Sequence, residues 1–364
     1  MVLKINPQQQ AVWRSPQSMQ IGLGDNRVIL DELTPAQEKL IAALFLGIAD
    51  NQLEAIANQS KLDLASAKSI ANQLKPLMQV AEEPQDKNLT AKARAKQDVE
   101  PLNDTAAASA FAEIIRASLV FGRDGQSVLL ERSRRAIHID DLSKTGLLLT
   151  LGLAAAGVGA VATHDQARVS AKDVGNTGYP LGLQGQGRLA AADWLLRGSP
   201  NRMKLVAGET LTAQQLDNLD AAVIIGHQAI EPRLYARWLN RQVPHIAIIF
   251  DVDGVWVSQL IIPGRTACLF CLEQNRTDKD LAWPVIASQL VTSELRFDDS
   301  ASQLFSAGVA LKSILMQLDN FAGQLDTLVS RGYRFDAKSG EISEMTWPRH
   351  EGCSCNASTA LEQS

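Results

Sequence analysis

Apolar positions along the chain follow two rhythms, separated by a polar break. Before the break, Met19-Gln-Ile-Gly-Leu and Arg27-Val-Ile-Leu read as short strands joined through Gly24-Asp25-Asn26, a hairpin signal. Thr34-Pro35 supplies an N-cap and a first-turn proline ahead of Leu40, Ile41, Leu44 and Phe45 at helical spacing. Asn51 to Ala57 predicts a second, short helix. Asp63 caps a third, with Ala67, Ile70, Ala71, Leu74 and Leu77 on one face. A hairpin and three helices in roughly 70 residues predict a small winged-helix-like α+β domain over residues 1–80. Such a module binds DNA, a peptide or another protein, or only docks. Its second and third helices are poor in Arg and Lys, which makes DNA the weakest of these readings.

Residues 81–105 predict a polar linker, because Ala81 to Pro101 contains no aromatic residue and only Leu89 and Val99 as large aliphatics. Beyond it, strands and helices alternate. A helix is expected near Ala106–Leu119 and a strand at Arg135–Ile139. A buried helix then runs through Ala156, followed by a Gly157-Val158-Gly159 turn and a strand at Ala160–Thr163. Further strands are expected at Leu205–Val206, Ala221–Ile225 and His245–Phe250, with helices at Thr212–Leu219 and Arg233–Arg241 and a strand-rich patch from Val255 to Ile262. This order predicts an α/β domain over 106–357, a Rossmann-like, mostly parallel sheet covered on both faces, with a tail at 358–364. The uncharged run Gly146–Thr163 is interrupted by three glycines and falls short of the ~20 apolar residues of a spanning helix, so no membrane segment is expected. Leu304–Leu318 reads as a core helix, or as a dimer contact.

Composition narrows the classes further. Hydrophobic residues make up 46% of the 364 and charged residues 21%, a globular balance. Forty acidic against 35 basic side chains argue against a protein that coats nucleic acid. The opening ten residues have neither a basic stretch nor an apolar core, so a cytoplasmic protein without a secretory signal is expected.

All four cysteines lie in two close pairs, Cys268-x-x-Cys271 after Pro263-Gly264 and Cys353-Ser-Cys355 beside Gly352. Two such pairs suit the halves of a tetrahedral zinc site, here a structural zinc knuckle. The alternatives are free buried thiols, or a redox pair at Cys268 and Cys271. A redox pair should open a helix after a buried strand, whereas Pro-Gly precedes this one. His350 could replace one thiolate, but reads as a surface residue.

With PGRTACLFCLEQNR at 263–276, Trp283-Pro284, LAAAGVGAV at 153–161 and Trp347-Pro348, the chain resembles the ThiF/MoeB/ubiquitin-activating family, nearest to its divergent actinobacterial ThiF-like members. The resemblance spans Arg135 to Cys355. It implies a Rossmann-like sheet that binds ATP at a Gly-x-Gly-Gly-x-Gly turn and adenylates the C-terminal glycine of a small ubiquitin-like partner. It also implies a homodimer, and zinc held by two cysteine pairs. The front end is similar to the PqqD-like peptide-recognition modules fused to related ATP-using enzymes of ribosomal-peptide maturation.

Carried over residue by residue, the family's glycine turn falls on Asp141-Leu-Ser-Lys-Thr-Gly146, where only Gly146 is kept. Side chains there crowd a triphosphate, and Asp140-Asp141 repel it. Lys144 is a compensating cation or a surface residue. Asp165 matches the ribose-binding acid, or is a strand-end turn residue. Arg188, after Gln184-Gly-Gln-Gly, matches a phosphate-contacting cation. Gln228 falls where the family positions Mg²⁺ with an aspartate, and its neutral amide supplies no such charge. His227 beside it is a general base or structural. With four cysteines on zinc, none is left for a thioester. Two functions follow. In one, the chain is an ATP- and Mg²⁺-dependent, weakened adenylyltransferase acting on a small protein or peptide C-terminus, with Arg188 and Gln228 at the reacting centre and Lys144, Gly146, Asp165 and Arg188 on the nucleotide. In the other, it is a non-catalytic, zinc-stabilised partner- or peptide-binding scaffold with a degenerate nucleotide site. An NAD-dependent dehydrogenase would need the same missing glycines.

Overall fold

The structure, a computed structural model, describes residues 2–22, 27–79, 104–122, 124–200, 203–319 and 329–355. These fall into two compact units, one up to residue 130 and one from residue 131 onward.

The first unit contains β1 (Val2–Leu3), β2 (Ala11–Ser15), β3 (Ser18–Ile21), β4 (Val28–Leu30) and β5 (Ile48–Ala49). β2, β3 and β4 form an antiparallel meander, while β1 pairs with β5. The expected hairpin is therefore the β3–β4 pair; its Gly24-Asp25-Asn26 turn lies outside the described residues. Helices α1 (Pro35–Leu46), α2 (Leu53–Gln59) and α3 (Leu64–Leu74) start where the sequence signals place them. Thr34 and Gln37 cap α1 reciprocally, and the Asp63 carboxylate accepts the Ser66 N–H at 2.9 Å. Leu40, Leu44, Ile70 and Leu74 pack with Ile21 into one core. Residues 81–103, most of the expected linker, lie outside the described residues.

Three further helices follow, α4 (Asp104–Ser109), α5 (Phe111–Phe121) and α6 (Gly125–Arg132). Through residue 130 they belong to the first unit, whereas the sequence pattern assigns residues from 106 to the sheet. Side-chain contacts account for the difference. The Asn6 amide donates to the Ser118 carbonyl at 2.6 Å in a buried position, and Gly125 sits where a Cβ would lie 2.1 Å from the Ile114 carbonyl oxygen.

In the second unit, β6 (Ala136–Ile139), α7 (Lys144–Ala155), β7 (Ala160–Thr163), α8 (Arg188–Leu196), β8 (Lys204–Ala207), α9 (Ala213–Asp217), β9 (Ala221–His227), α10 (Pro232–Asn240) and β10 (His245–Asp251) alternate. The five strands lie parallel in the order β10-β9-β6-β7-β8. That order turns back at β6, and open α/β sheets bind ligands at the carboxyl edge beside such a reversal. Then come β11 (Gly254–Ser258), α11 (Leu269–Lys279), α12 (Trp283–Leu290), α13 (Ser300–Leu318), β12 (Val329–Asp336) and β13 (Ile342–Pro348). β11, β12 and β13 extend the sheet antiparallel beyond β10, to eight strands.

Uninterrupted apolar runs such as Ala221–Ile225 and Ile246–Phe250 suit strands covered on both faces. One face buries Ile137, Val161 and Ile248 under Leu147 and Leu153 of α7 and Ile314 and Leu318 of α13. The segment Leu304–Leu318 thus supplies a core helix. The other face buries Ile224 and Ile249 with Tyr235, Trp238 and Leu272. Among the described residues, no helix is long and apolar enough to cross a membrane.

Gly146 and Gly159 are kept by close approach. A Cβ at Gly146 would lie 1.7 Å from the Asp141 carbonyl oxygen, and one at Gly159 would lie 1.8 Å from that of Ser133. Gly146→Ala is accordingly expected to cost about 3 kcal/mol or more through forced backbone movement. Thermal unfolding should show a fall of roughly 6–12 °C for a unit of this size. Gly308→Ala, whose added methyl would meet nothing within 4 Å, is the neutral control.

Candidate functional site

The cysteine pairs meet. Cys268 caps the start of α11 and Cys271 lies one turn on, while Cys353 and Cys355 follow β13. Sγ–Sγ separations are 3.7 Å for Cys268–Cys271, 3.5 Å for Cys268–Cys353 and 3.3 Å for Cys271–Cys355, and all four sulfurs lie within 4.8 Å of one another. A tetrahedral ion with Zn–S bonds of about 2.3 Å needs sulfurs ~3.8 Å apart, so the clasp fits zinc. All four thiols are buried. The Cys268 thiol, donating to it, pulls Cys271 down to about 4, while burial pushes Cys355 up to about 12. Cys268 does open a helix, contrary to expectation, but the second pair against it separates the clasp from a two-cysteine redox motif.

Neighbours fix the clasp. Trp347 Nε1 donates to the Cys268 carbonyl at 3.2 Å, its ring packs against Trp256 with centroids 5.3 Å apart, and the Ser330 hydroxyl donates to the Ala267 carbonyl. His350 points its Nε2 at Asp278, 3.1 Å away, and its Nδ1 accepts the Gly352 N–H. Its imidazole is not one of the clustered ligands, though its backbone hydrogen bond helps to hold the Cys271 thiol down.

The second constellation lies at the carboxyl edge of the parallel strands. Asp140 and Asp141 follow β6, Asp165 follows β7, and Arg188 begins α8. The Arg188 guanidinium is gripped by three carboxylates. Its Nη1 lies 3.2 Å from Asp141 Oδ1 and 3.1 Å from Asp165 Oδ2, and its Nη2 lies 2.9 and 3.0 Å from the two Asp173 oxygens. Asp165 also accepts the Leu142 N–H at 2.8 Å and the Ala167 N–H at 2.7 Å. Asp141 accepts the Ser143 N–H at 2.5 Å. The Tyr179 hydroxyl, buried, donates to the Leu142 carbonyl at 2.7 Å.

Charge follows geometry. Burial pushes the Asp141 carboxyl up, with Arg188 opposing it. Burial also acts on Asp173, but the Ser170 amide and hydroxyl and Arg188 hold that carboxyl below its ordinary value. Burial works against the Arg188 cation, yet Asp141, Asp165 and Asp173 raise its pKa. Three carboxylates around one guanidinium leave a net negative cleft. A cavity of about 280 Å³ opens beside it, bordered by Thr163, Asp165, Gln166, Ala207, Glu209 and Arg188. That is just below the 300–1,000 Å³ typical of small-molecule pockets.

The other expected site residues are not among the groups that grip the Arg188 guanidinium. Gly146 is buried at the first turn of α7. Lys144 lies along the Gly175–Gly178 turn, close enough that a Cβ at Gly178 would approach its Cγ to 2.9 Å. Gln228, past β9, adopts a left-handed φ of 64°, donates its N–H to the Phe250 carbonyl and reaches Ser293 Oγ with Nε2 at 3.3 Å. His227 stacks on Phe250, and burial, with Arg296 nearby, depresses its pKa to about 3, which favours the neutral imidazole. Sequence reasoning did not find Asp173 or Tyr179. Nor did it find the buried contact between His138 Nε2 and His164 Nδ1 at 2.7 Å on the opposite face of the sheet.

A doubly wound sheet with an antiparallel extension, a four-cysteine clasp and a carboxylate-lined edge at the β6 reversal make up a fold that solved structures share. Among solved structures, Escherichia coli MccB with ATP shares it at a TM-score of 0.61 and 12% identity, over 98% of this chain and 100% of that one. The microcin C7 biosynthetic enzyme MccB in complex with N-formylated MccA matches at 0.63 and 12%, over 98% and 100%. PaaA matches at 0.64 and 11%, over 94% and 99%. At such identities the likeness is one of fold. No protein-family model and no curated protein matches the sequence.

Proposed function

We propose that the chain is a zinc-stabilised partner- or peptide-binding protein whose nucleotide cleft is filled by its own carboxylates. The observation that carries this reading is the grip of Asp141, Asp165 and Asp173 on Arg188. In a ThiF-type cleft that cation would face a polyphosphate. At an effective dielectric near 20, each pair of like unit charges about 4 Å apart costs roughly 4 kcal/mol, so a triphosphate brought onto this cluster meets a large penalty. Zinc bound by Cys268, Cys271, Cys353 and Cys355 supplies a structural clasp and leaves no thiol for thioester chemistry. The first unit is the recognition module: β2 is a sheet edge exposed along its whole length, with Trp13 about half exposed, the kind of edge to which an extended peptide adds. The resemblance to ThiF-like proteins supports a cytoplasmic homodimer.

Calorimetric titration of the zinc-loaded full chain with Mg·ATP into the millimolar range, alongside pyrophosphate exchange with candidate peptides, tests this reading. No saturable heat and no exchange are expected. Micromolar binding or exchange would overturn it.

The cavity beside Asp165 and Arg188 favours a second reading, adenylation of a peptide or small-protein C-terminus. It lies at the sheet edge of a fold shared with MccB, solved with ATP and with MccA. Under that reading Arg188 turns from the aspartates to phosphate, Asp165 meets ribose, Lys144 and Gly146 border the phosphates, and Gln228 faces Mg²⁺. An AMP adduct on a peptide partner would establish it.

A further inference from the structure

The cavity beside Arg188 is lined by that cation and Asp165, and each of the three aspartates that grip the guanidinium does something different. Asp173 takes Nε and Nη2 in a two-pronged grip, at 3.3 Å for Nε and 2.9–3.0 Å for Nη2, which fixes the plane of the guanidinium. Asp165 also accepts two backbone amides, so it ties the end of β7 to the start of α7. Asp141 has no such structural load among the described residues. Its carboxylate meets Arg188 Nη1 at 3.2 Å and the N–H of Ser143, two residues along its own turn, at 2.5 Å.

An arginine N–H and a backbone N–H converging at the start of a 12-residue helix are donors suited to a phosphoryl oxygen. Here one carboxylate fills both. The position is uncomfortable for that carboxylate, since it is partly desolvated, with its side chain 24% exposed, and faces the like charge of Asp165. We infer that Asp141 is an internal stand-in for phosphate, and that it sets the specificity of the cavity against phosphoryl ligands. Removing it frees one guanidinium N–H and one amide while Asp173 still holds Arg188 in place. The inference rests on the reading that the native cleft takes no nucleotide.

The test is calorimetric titration of the full, zinc-loaded chain with inorganic pyrophosphate, comparing wild type, Asp141→Ala, Asp141→Asn and Asp193→Ala. Asp193 pairs with Arg197 on an exposed face, so its loss changes net charge equally away from the cavity. Asp141→Ala is expected to bind pyrophosphate at least about ten-fold more tightly than wild type, with Asp193→Ala unchanged. Asp141→Asn keeps the shape of the turn without the charge; should the alanine variant melt early, it carries the comparison. The inference is overturned if the folded Asp141 variants bind no more tightly than wild type, or if Asp193→Ala gains as much. Binding of Mg·ATP by wild type would refute the non-catalytic reading, and the ratio of variant to wild type would still judge Asp141 separately.

Discussion

Cys271→Ser is expected to lose its bound zinc and, with it, several kcal/mol of stability. Metal binding to four-ligand structural sites contributes ~10–16 kcal/mol in small peptides, and loss of one thiolate removes a large share of that. The effect should reach past the clasp. β13 and the segment after it, which carries Cys353 and Cys355, meet α11 and β11 through the sulfurs, through Trp347 on Trp256, and through Asn275, whose amide donates to the Pro348 carbonyl at 3.1 Å. Zinc also needs thiolates where the hydrogen bond to Cys271, then burial, favours a thiol at Cys268 and burial favours one at Cys355, so loading releases protons and affinity falls as pH drops. Elemental analysis should give one zinc per wild-type chain and far less in the variant, with a clearly lower unfolding temperature. A metal-free wild-type protein that melts at the same temperature as the variant would contradict the assignment.

Arg188→Ala is expected to be nearly as damaging. It leaves Asp141, Asp165 and Asp173 without their counter-ion, and the side chains of the last two are only 6% and 5% exposed. Removing one partner from a buried charge cluster costs about 3–5 kcal/mol, because the remaining charges stay desolvated. The sign of the pH dependence follows. In wild type the Asp173 carboxyl is held below its unfolded value of 3.8, so its contribution is present above that pH and is lost as pH falls through the folded pKa. In the variant, burial of Asp141 is no longer opposed by Arg188 and Asp173 loses part of what holds it down, so protonation relieves the repulsion. The stability gap should be widest near neutral pH and narrow as pH falls toward about 4. Urea unfolding at both pH values checks this. A variant as stable as wild type at neutral pH would mean that the three contacts do not persist in solution.

The parallel sheet was readable because fully covered strands leave continuous apolar runs, as at Ala221–Ile225, and because caps such as Thr34 and Asp63 mark helix starts. The clasp was readable because four cysteines in two pairs leave few arrangements. Asp165 and Arg188, each singled out in the sequence for a separate nucleotide contact, meet one another at 3.1 Å. The partners that define the cleft were less accessible. Asp173 reaches Arg188 across an irregular stretch of single-turn helices with no periodicity to follow, and Asp141 gives no sign in sequence that its carboxylate would turn onto a guanidinium. The edge strand β13 and its neighbour β12 escaped notice because Ser330, Arg331, Gly332 and Ser343 break up their apolar pattern. The helices at 104–130 carry no sequence label for their unit; a contact as specific as Asn6 to Ser118 decides it.

Crystals of the zinc-loaded full chain grown with millimolar Mg·ATP offer the most direct measurement of what Arg188 holds. Density should show the guanidinium on Asp141, Asp165 and Asp173, with no phosphate beside it. A triphosphate on Arg188 with Asp141 swung aside would contradict the account.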